Sequence, residues 1–271
     1  MTVDFAFLDS GTGGLPYMEY LHNMCPQAHC LYLADTGNFP YGEKSPQEVI
    51  QATDKAVQSI IDSWNPKAIV LACNTMSVTA LQFLRHKYPL VPFIGTVPAV
   101  KLGVSLSSNK IIGLLATQGT INHPYTKKLI QDFASDCTVV CRGDGELIRF
   151  IEENLLTASQ NEIKKALMPA LTYFAEKKTD TIILGCTHFV HVADNMRKLV
   201  PPGIKIIDSR DGVVRQALKV VETKKTSESA PFWVDIPDRS FFITGLPKGV
   251  SEEHYKAVCQ QFSAPWGGVI S

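Results

Sequence analysis

The sequence predicts an α/β fold of two similar lobes, each a mainly parallel sheet flanked by helices, with the active site in the cleft between them. Three observations carry this. Short apolar runs alternate with longer amphipathic segments, which is the pattern of βαβ units. Two of the runs end in a cysteine followed by polar side chains, Val70-Leu71-Ala72-Cys73-Asn74-Thr75 and Ile183-Leu184-Gly185-Cys186-Thr187-His188. A polar turn at a strand end also precedes each cysteine, Asp9-Ser10-Gly11 before the first and Ala116-Thr117-Gln118-Gly119-Thr120 before the second. The pattern therefore recurs after about 110 residues, the size of a duplicated domain and too long for a solenoid repeat.

The elements follow in order. Strand-like runs occupy residues 3–8, 30–33, 68–72 and 91–95 in the first half, and 111–116, 137–141, 181–185 and 204–207 in the second. The runs before the two cysteines consist of β-favouring or small apolar residues without alternation, as expected of strands buried on both faces of a parallel sheet. Ser45-Pro46-Gln47-Glu48 opens a helix with an N-cap, proline in the first turn and glutamate at N3, and the helix should end near Trp64-Asn65-Pro66. Thr96-Val97-Pro98 marks a crossing between lobes and Asp208-Ser209 the return. The first lobe is thus residues 1–97 plus 208–271 and the second 98–207. The tail, residues 222–271, holds Pro231-Phe232-Trp233 and Phe241-Phe242-Ile243-Thr244 and is expected to pack on the first lobe.

Composition narrows the function classes. The chain has 271 residues, 45% apolar, with 26 acidic against 26 basic side chains. Zero formal charge without a basic block argues against nucleic acid or an anionic membrane as partner, and favours a small molecule. No segment approaches the roughly 18 uninterrupted apolar residues of a membrane helix, and the start lacks a basic n-region, so the expected location is the cytoplasm. Seven cysteines, an odd count, read as thiols. Cys25/Cys30 and Cys137/Cys141 are poorly spaced for a closed tetrahedral zinc site, and no metal is expected.

In open α/β sheets ligands bind beyond the carboxyl ends of the strands, where the following helices offer free N–H groups. Both cysteines lie there. Either alone reads as a small buried hydrophobe. Their equivalent placement is the signal, because each is followed by groups able to hold a carboxylate, Asn74 and Thr75 in one case, Thr187 and His188 in the other. His188 reads equally as a structural imidazole or as a catalytic one. The first turn, Asp9-Ser10-Gly11-Thr12-Gly13-Gly14, lets backbone N–H groups approach an anion, yet it fails the dinucleotide and P-loop spacings. Asp9 there is an N-cap or a working group, and Ser10 a cap or a binding group.

Five motifs in order, Asp9-Ser10-Gly11, Pro40-Tyr41-Gly42-Glu43-Lys44, Ala72-Cys73-Asn74-Thr75, Ala116-Thr117-Gln118-Gly119-Thr120 and Gly185-Cys186-Thr187-His188, resemble those of the glutamate racemase family. Asp35-Thr36 and Ile206-Ile207-Asp208-Ser209 extend the likeness to most of the chain. Two departures are visible: Gly95-Thr96-Val97-Pro98 lacks the Glu-Pro common there, and Phe189-Val190 replaces an aromatic-proline pair.

The resemblance implies interconversion of L- and D-glutamate by two thiols, Cys73 deprotonating the D and Cys186 the L enantiomer. It pairs Asp9 with Cys73 and His188 with Cys186, and suggests Glu146 as a supporting carboxylate on the second side. It also implies that Pro40, Tyr41 and Gly42 line the substrate, with Ser10 beside them. Asn74, Thr75, Thr117, Thr120 and Thr187 are expected to donate to the substrate carboxylates and to developing negative charge. No cofactor is implied. The resemblance further suggests a homodimer in a bacterial cytoplasm that supplies D-glutamate for peptidoglycan. An aspartate or hydantoin racemase of the same fold, a cysteine hydrolase using Cys186 with His188, and a non-catalytic amino-acid-binding protein remain as alternatives.

Overall fold

The computed structural model describes residues 2–224 and 235–270. The chain divides into two compact units, Met1–Thr96 with Arg210–Ser271, and Val97–Ser209. The first begins with β1 (Phe5–Asp9), α1 (Leu15–Met24), β2 (Cys30–Ala34), α2 (Pro46–Trp64), β3 (Ala68–Leu71), α3 (Asn74–Lys87) and β4 (Phe93–Gly95). The second contains α4 (Val100–Leu106), β5 (Ile111–Ala116), α5 (Gln118–Asn122), α6 (Pro124–Phe133), β6 (Thr138–Gly143), α7 (Gly145–Glu153), α8 (Gln160–Glu176), β7 (Thr181–Gly185), α9 (Ala193–Leu199) and β8 (Lys205–Ile207). The chain then returns to the first unit with α10 (Arg210–Lys224), β9 (Ser240–Ile243), α11 (Glu252–Gln261) and β10 (Trp266–Val269).

The first unit holds a sheet ordered β10-β9-β2-β1-β3-β4, the second a sheet ordered β6-β5-β7-β8. Every pairing between described strands is parallel. Within them β2-β1-β3-β4 and β6-β5-β7-β8 have the same order, so the echo in the sequence is an echo of topology. The α/β class with parallel sheets flanked by helices is the one the sequence predicts.

The apolar runs form these strands because helices cover both faces. All residues of β1, β3 and β7 are buried. The first core joins Leu8, Leu33 and Leu71 from the sheet to Val57, Ile60 and Trp64 of α2. The second joins Leu114 and Ile183 to Val100 of α4. The N-cap of α2 is built as its sequence dictates: Ser45 Oγ accepts from Glu48 N, and Glu48 Oε2 accepts from Ser45 N at 2.8 Å. Its C-cap, Asn65, takes a left-handed conformation ahead of Pro66.

Several boundaries move by one or two residues. β4 and β8 start later than their apolar runs because Val91 N closes a turn on Tyr88 O at 3.0 Å and Ile204 N one on Pro201 O at 3.3 Å. β6 runs on to Gly143, and as an edge strand of half-buried residues it lacks the apolar signature of a central one. The tail contributes more than a packed flap. β9 pairs with β2 from Leu31↔Ser240 to Ala34↔Ile243, and β10 extends the same sheet. Pro231-Phe232-Trp233 lies outside the described residues. No helix among the described residues is long and apolar enough to cross a membrane.

Candidate active site

In the first unit, β1 and β3 are neighbours in the register Leu8↔Leu71. The residues just beyond, Asp9-Ser10 and Ala72-Cys73, therefore leave the sheet side by side. Asp9 is buried and its Oδ1 accepts from Ser10 N at 2.5 Å and from Ser10 Oγ at 3.2 Å. Ser10 Oγ lies 3.9 Å from Cys73 Sγ. A carboxylate, a hydroxyl and a thiol thus form a chain, with Ser10 as the link between the two groups that the family resemblance pairs.

The glycine turn lets this happen. A Cβ on Gly14 would come within 2.5 Å of Ala72 Cβ, so only glycine allows the first turn to pass so close to the strand that carries Cys73. Tyr32 Oη fixes the turn, donating to Gly11 O and accepting from Gly14 N, both at 2.9 Å.

Cys73 stands at the N-cap of α3, where backbone N–H groups have no partner within the helix. Asn74, the first residue of α3, is only 2% exposed, and neither its Oδ1 nor its Nδ2 has a hydrogen-bond partner. A buried amide left in this state requires a reason, and a polar ligand at this helix end supplies one. Thr75 is buried in the same turn. Tyr41 is buried within a short helical turn, Tyr41–Glu43, and its hydroxyl donates to Asp35 Oδ2 at 2.5 Å. Pro40 and Gly42 beside it are half-buried.

In the second unit β5 and β7 are neighbours in the register Ala116↔Gly185, so Thr117 and Cys186 leave the sheet side by side. They occupy the places of Ser10 and Cys73. Thr117 caps α5, its Oγ1 accepting from Thr120 N at 2.9 Å and lying 3.0 Å from Thr120 Oγ1. Cys186 is buried and is followed by a helical turn, Thr187–Val192, which runs into α9. Its Sγ lies 3.8 Å from His188 Nδ1.

His188 Nε2 in turn lies 2.9 Å from Glu152 Oε2, with both side chains almost wholly buried, at 2% and 4% exposure. Burial opposes a charge on the imidazole, but the hydrogen bonds to Cys186 and Glu152 outweigh it, so its pKa stands well above the ordinary histidine value. The shift favours the protonated ring, in which both nitrogens are donors, one toward the sulfur and one toward the carboxylate.

The carboxylate that bonds His188 is Glu152, whereas Glu146 takes no part in that contact. Glu146 is exposed in the first turn of α7, where it joins Arg142 and Lys165 around a cavity of about 360 Å³ between α7 and α8. The two acids are six positions apart, which places them on different faces of the helix. The inward face of α7 is Leu147, Ile148, Ile151 and Glu152. A carboxylate within an otherwise apolar stripe was the available signal, since such a residue is almost never buried without a partner.

Comparison with known proteins places the chain in one family. The family model for Asp/Glu/hydantoin racemases matches residues 15–217. A glutamate racemase of Treponema pallidum (strain Nichols) is 37% identical over 266 residues, which is 98% of this chain and 96% of that protein. One from Actinobacillus pleuropneumoniae serotype 5b is 36% identical over 96% of this chain and 93% of that protein. Among solved structures, Escherichia coli glutamate racemase in complex with L-glutamate and the activator UDP-MurNAc-ala matches with a TM-score of 0.84 at 30% identity, covering 98% of this chain and 97% of that one. The chain belongs to the Asp/Glu/hydantoin racemase family.

Proposed function

We propose that this chain is a glutamate racemase that moves the α-proton between two thiols. The observation that carries the mechanism is the pair of cysteines at equivalent strand ends of two units with the same strand order. The overall relatedness to glutamate racemases supports the substrate.

Inversion at the α-carbon removes a proton from one face and returns one to the other, so it needs an acid/base group on each. In one direction the Cys73 thiolate takes the α-proton and becomes a thiol, leaving the electron pair on carbon. The Cys186 thiol then gives its proton to the opposite face and becomes a thiolate. The reverse direction exchanges the roles. Protonated His188 resupplies Cys186, with Glu152 holding the ring, while Asp9 acts on Cys73 through Ser10. Asn74, Thr75 and Thr187, with the open N–H groups of α3, hold carboxylate and developing charge, and Thr117 and Thr120 form the corresponding edge of the second unit. Pro40, Tyr41 and Gly42 shape the substrate side of the first unit. The reading calls on no cofactor. Supply of D-glutamate to peptidoglycan, a homodimer and a cytoplasmic setting accompany it on the strength of the resemblance.

A second reading has one specific observation in its favour: Cys186, His188 and Glu152 stand in the order nucleophile, base and orienting carboxylate used by cysteine hydrolases. Single variants separate the two. Racemisation predicts that Cys73→Ala and Cys186→Ala each lower turnover of glutamate by at least about a thousandfold. A hydrolase tolerates Cys73→Ala. A binding protein has no turnover to lose.

A further inference from the structure

The C-terminal segment reaches the loop that carries Tyr41 through Thr244, the residue after β9. Thr244 Oγ1 donates to Asp35 Oδ1 at 2.6 Å and accepts from Gly37 N at 3.1 Å. Main-chain bonds hold it there: Thr244 N donates to Ala34 O at 3.0 Å, and Thr36 Oγ1 donates to the next carbonyl, Gly245 O, at 2.5 Å. Gly37 sits so near that a Cβ on it would lie 3.3 Å from the Thr244 hydroxyl.

Asp35 is the hub of this contact. Besides Thr244 it accepts from Tyr41 Oη at 2.5 Å and from Asn38 Nδ2 at 3.1 Å, and its own N–H donates to Asp9 O at 2.7 Å. A buried carboxylate with this many donors has one placement, and Tyr41 is placed with it. The turn carrying Tyr41 packs against α3, the helix that Cys73 caps. The Cys73 thiol is near enough to the phenol for charge on sulfur to oppose ionisation of the ring hydroxyl.

We propose that Thr244, a residue of the C-terminal segment, is a positioning residue for the Cys73 half of the site, clamping Asp35 and through it Tyr41. The proposal rests on the racemase reading. Its hydroxyl is used as donor and acceptor at once, which serine reproduces and isosteric valine cannot. Loss of the clamp frees the 36–43 loop and slows proton transfer at Cys73 while leaving Cys186 as it was.

The test compares wild type, T244V and T244S in both directions with α-protonated and α-deuterated glutamate. T244V is expected to lose about tenfold in kcat/KM, with T244S within about twofold of wild type. Because only one of two proton transfers is slowed, the isotope effect should rise for one enantiomer and fall for the other in T244V. Isotope effects that stay fixed, or move together, would overturn the proposal, since a general loss of folded enzyme leaves them unchanged. Hydrogen exchange over residues 36–43 reads the clamp without turnover. Faster exchange in T244V with a wild type inert on glutamate sinks the racemase reading and keeps the clamp, whereas unchanged exchange sinks the clamp.

Discussion

His188 is held from both sides, by Cys186 at 3.8 Å and by Glu152 at 2.9 Å, and the raised pKa that results has a sign that can be tested. A folded-state value above the unfolded one, about 6.5, contributes stability that is complete below that pH and is lost as pH rises through the folded value. Glu152→Gln removes the carboxylate and lets burial dominate. The melting temperature of wild type should exceed that of E152Q most near pH 6, with the gap closing at alkaline pH. The alkaline limb of the kcat profile should move to lower pH in the variant; a profile that does not move would remove Glu152 from the proton path. The sequence made Cys186 and His188 legible because two residues of spacing at a strand end keep them together. Glu152 was hidden because it lies 36 residues earlier, and only folding of α7 against the turn after β7 brings it to the ring.

Among the elements, β5 and β7 match their apolar runs residue for residue, since a central strand covered on both faces leaves an unbroken signature. The edge strands did not announce themselves in the same way. β10 is Trp266-Gly267-Gly268-Val269, half of it glycine and partly exposed, and only its pairing with β9 makes it a strand. Helix starts fared according to their caps. Ser45 and Ser159 both form capping boxes with a glutamate at N3, and the first was apparent from proline at N1 as well. Each cap is exposed at the surface. Ser45→Ala and Ser159→Ala should each cost about 1 kcal/mol in denaturant unfolding with kcat unchanged; no loss in either would mean that these boxes do not hold their helices.

The whole molecule repeats one device. In each unit two neighbouring parallel strands deliver a hydroxyl residue and a cysteine to the same edge, Ser10 with Cys73 and Thr117 with Cys186. The repeat was readable in the sequence as two polar turns and two strand-end cysteines. The halves differ in what neighbours the hydroxyl and the sulfur along the chain, a carboxylate behind Ser10 and an imidazole beside Cys186, and under the racemase reading these would supply each sulfur with protons in its own way. The account makes the α-carbon the reacting centre and solvent-exchangeable thiols the proton carriers. Incubation of the protein with L-glutamate in heavy water, without added cofactor, tests that most directly. It predicts D-glutamate carrying deuterium at the α-carbon and an equal mixture of enantiomers at the end, whichever isomer is supplied. D-Glutamate that keeps its original α-proton, or an endpoint that favours one enantiomer, would contradict it.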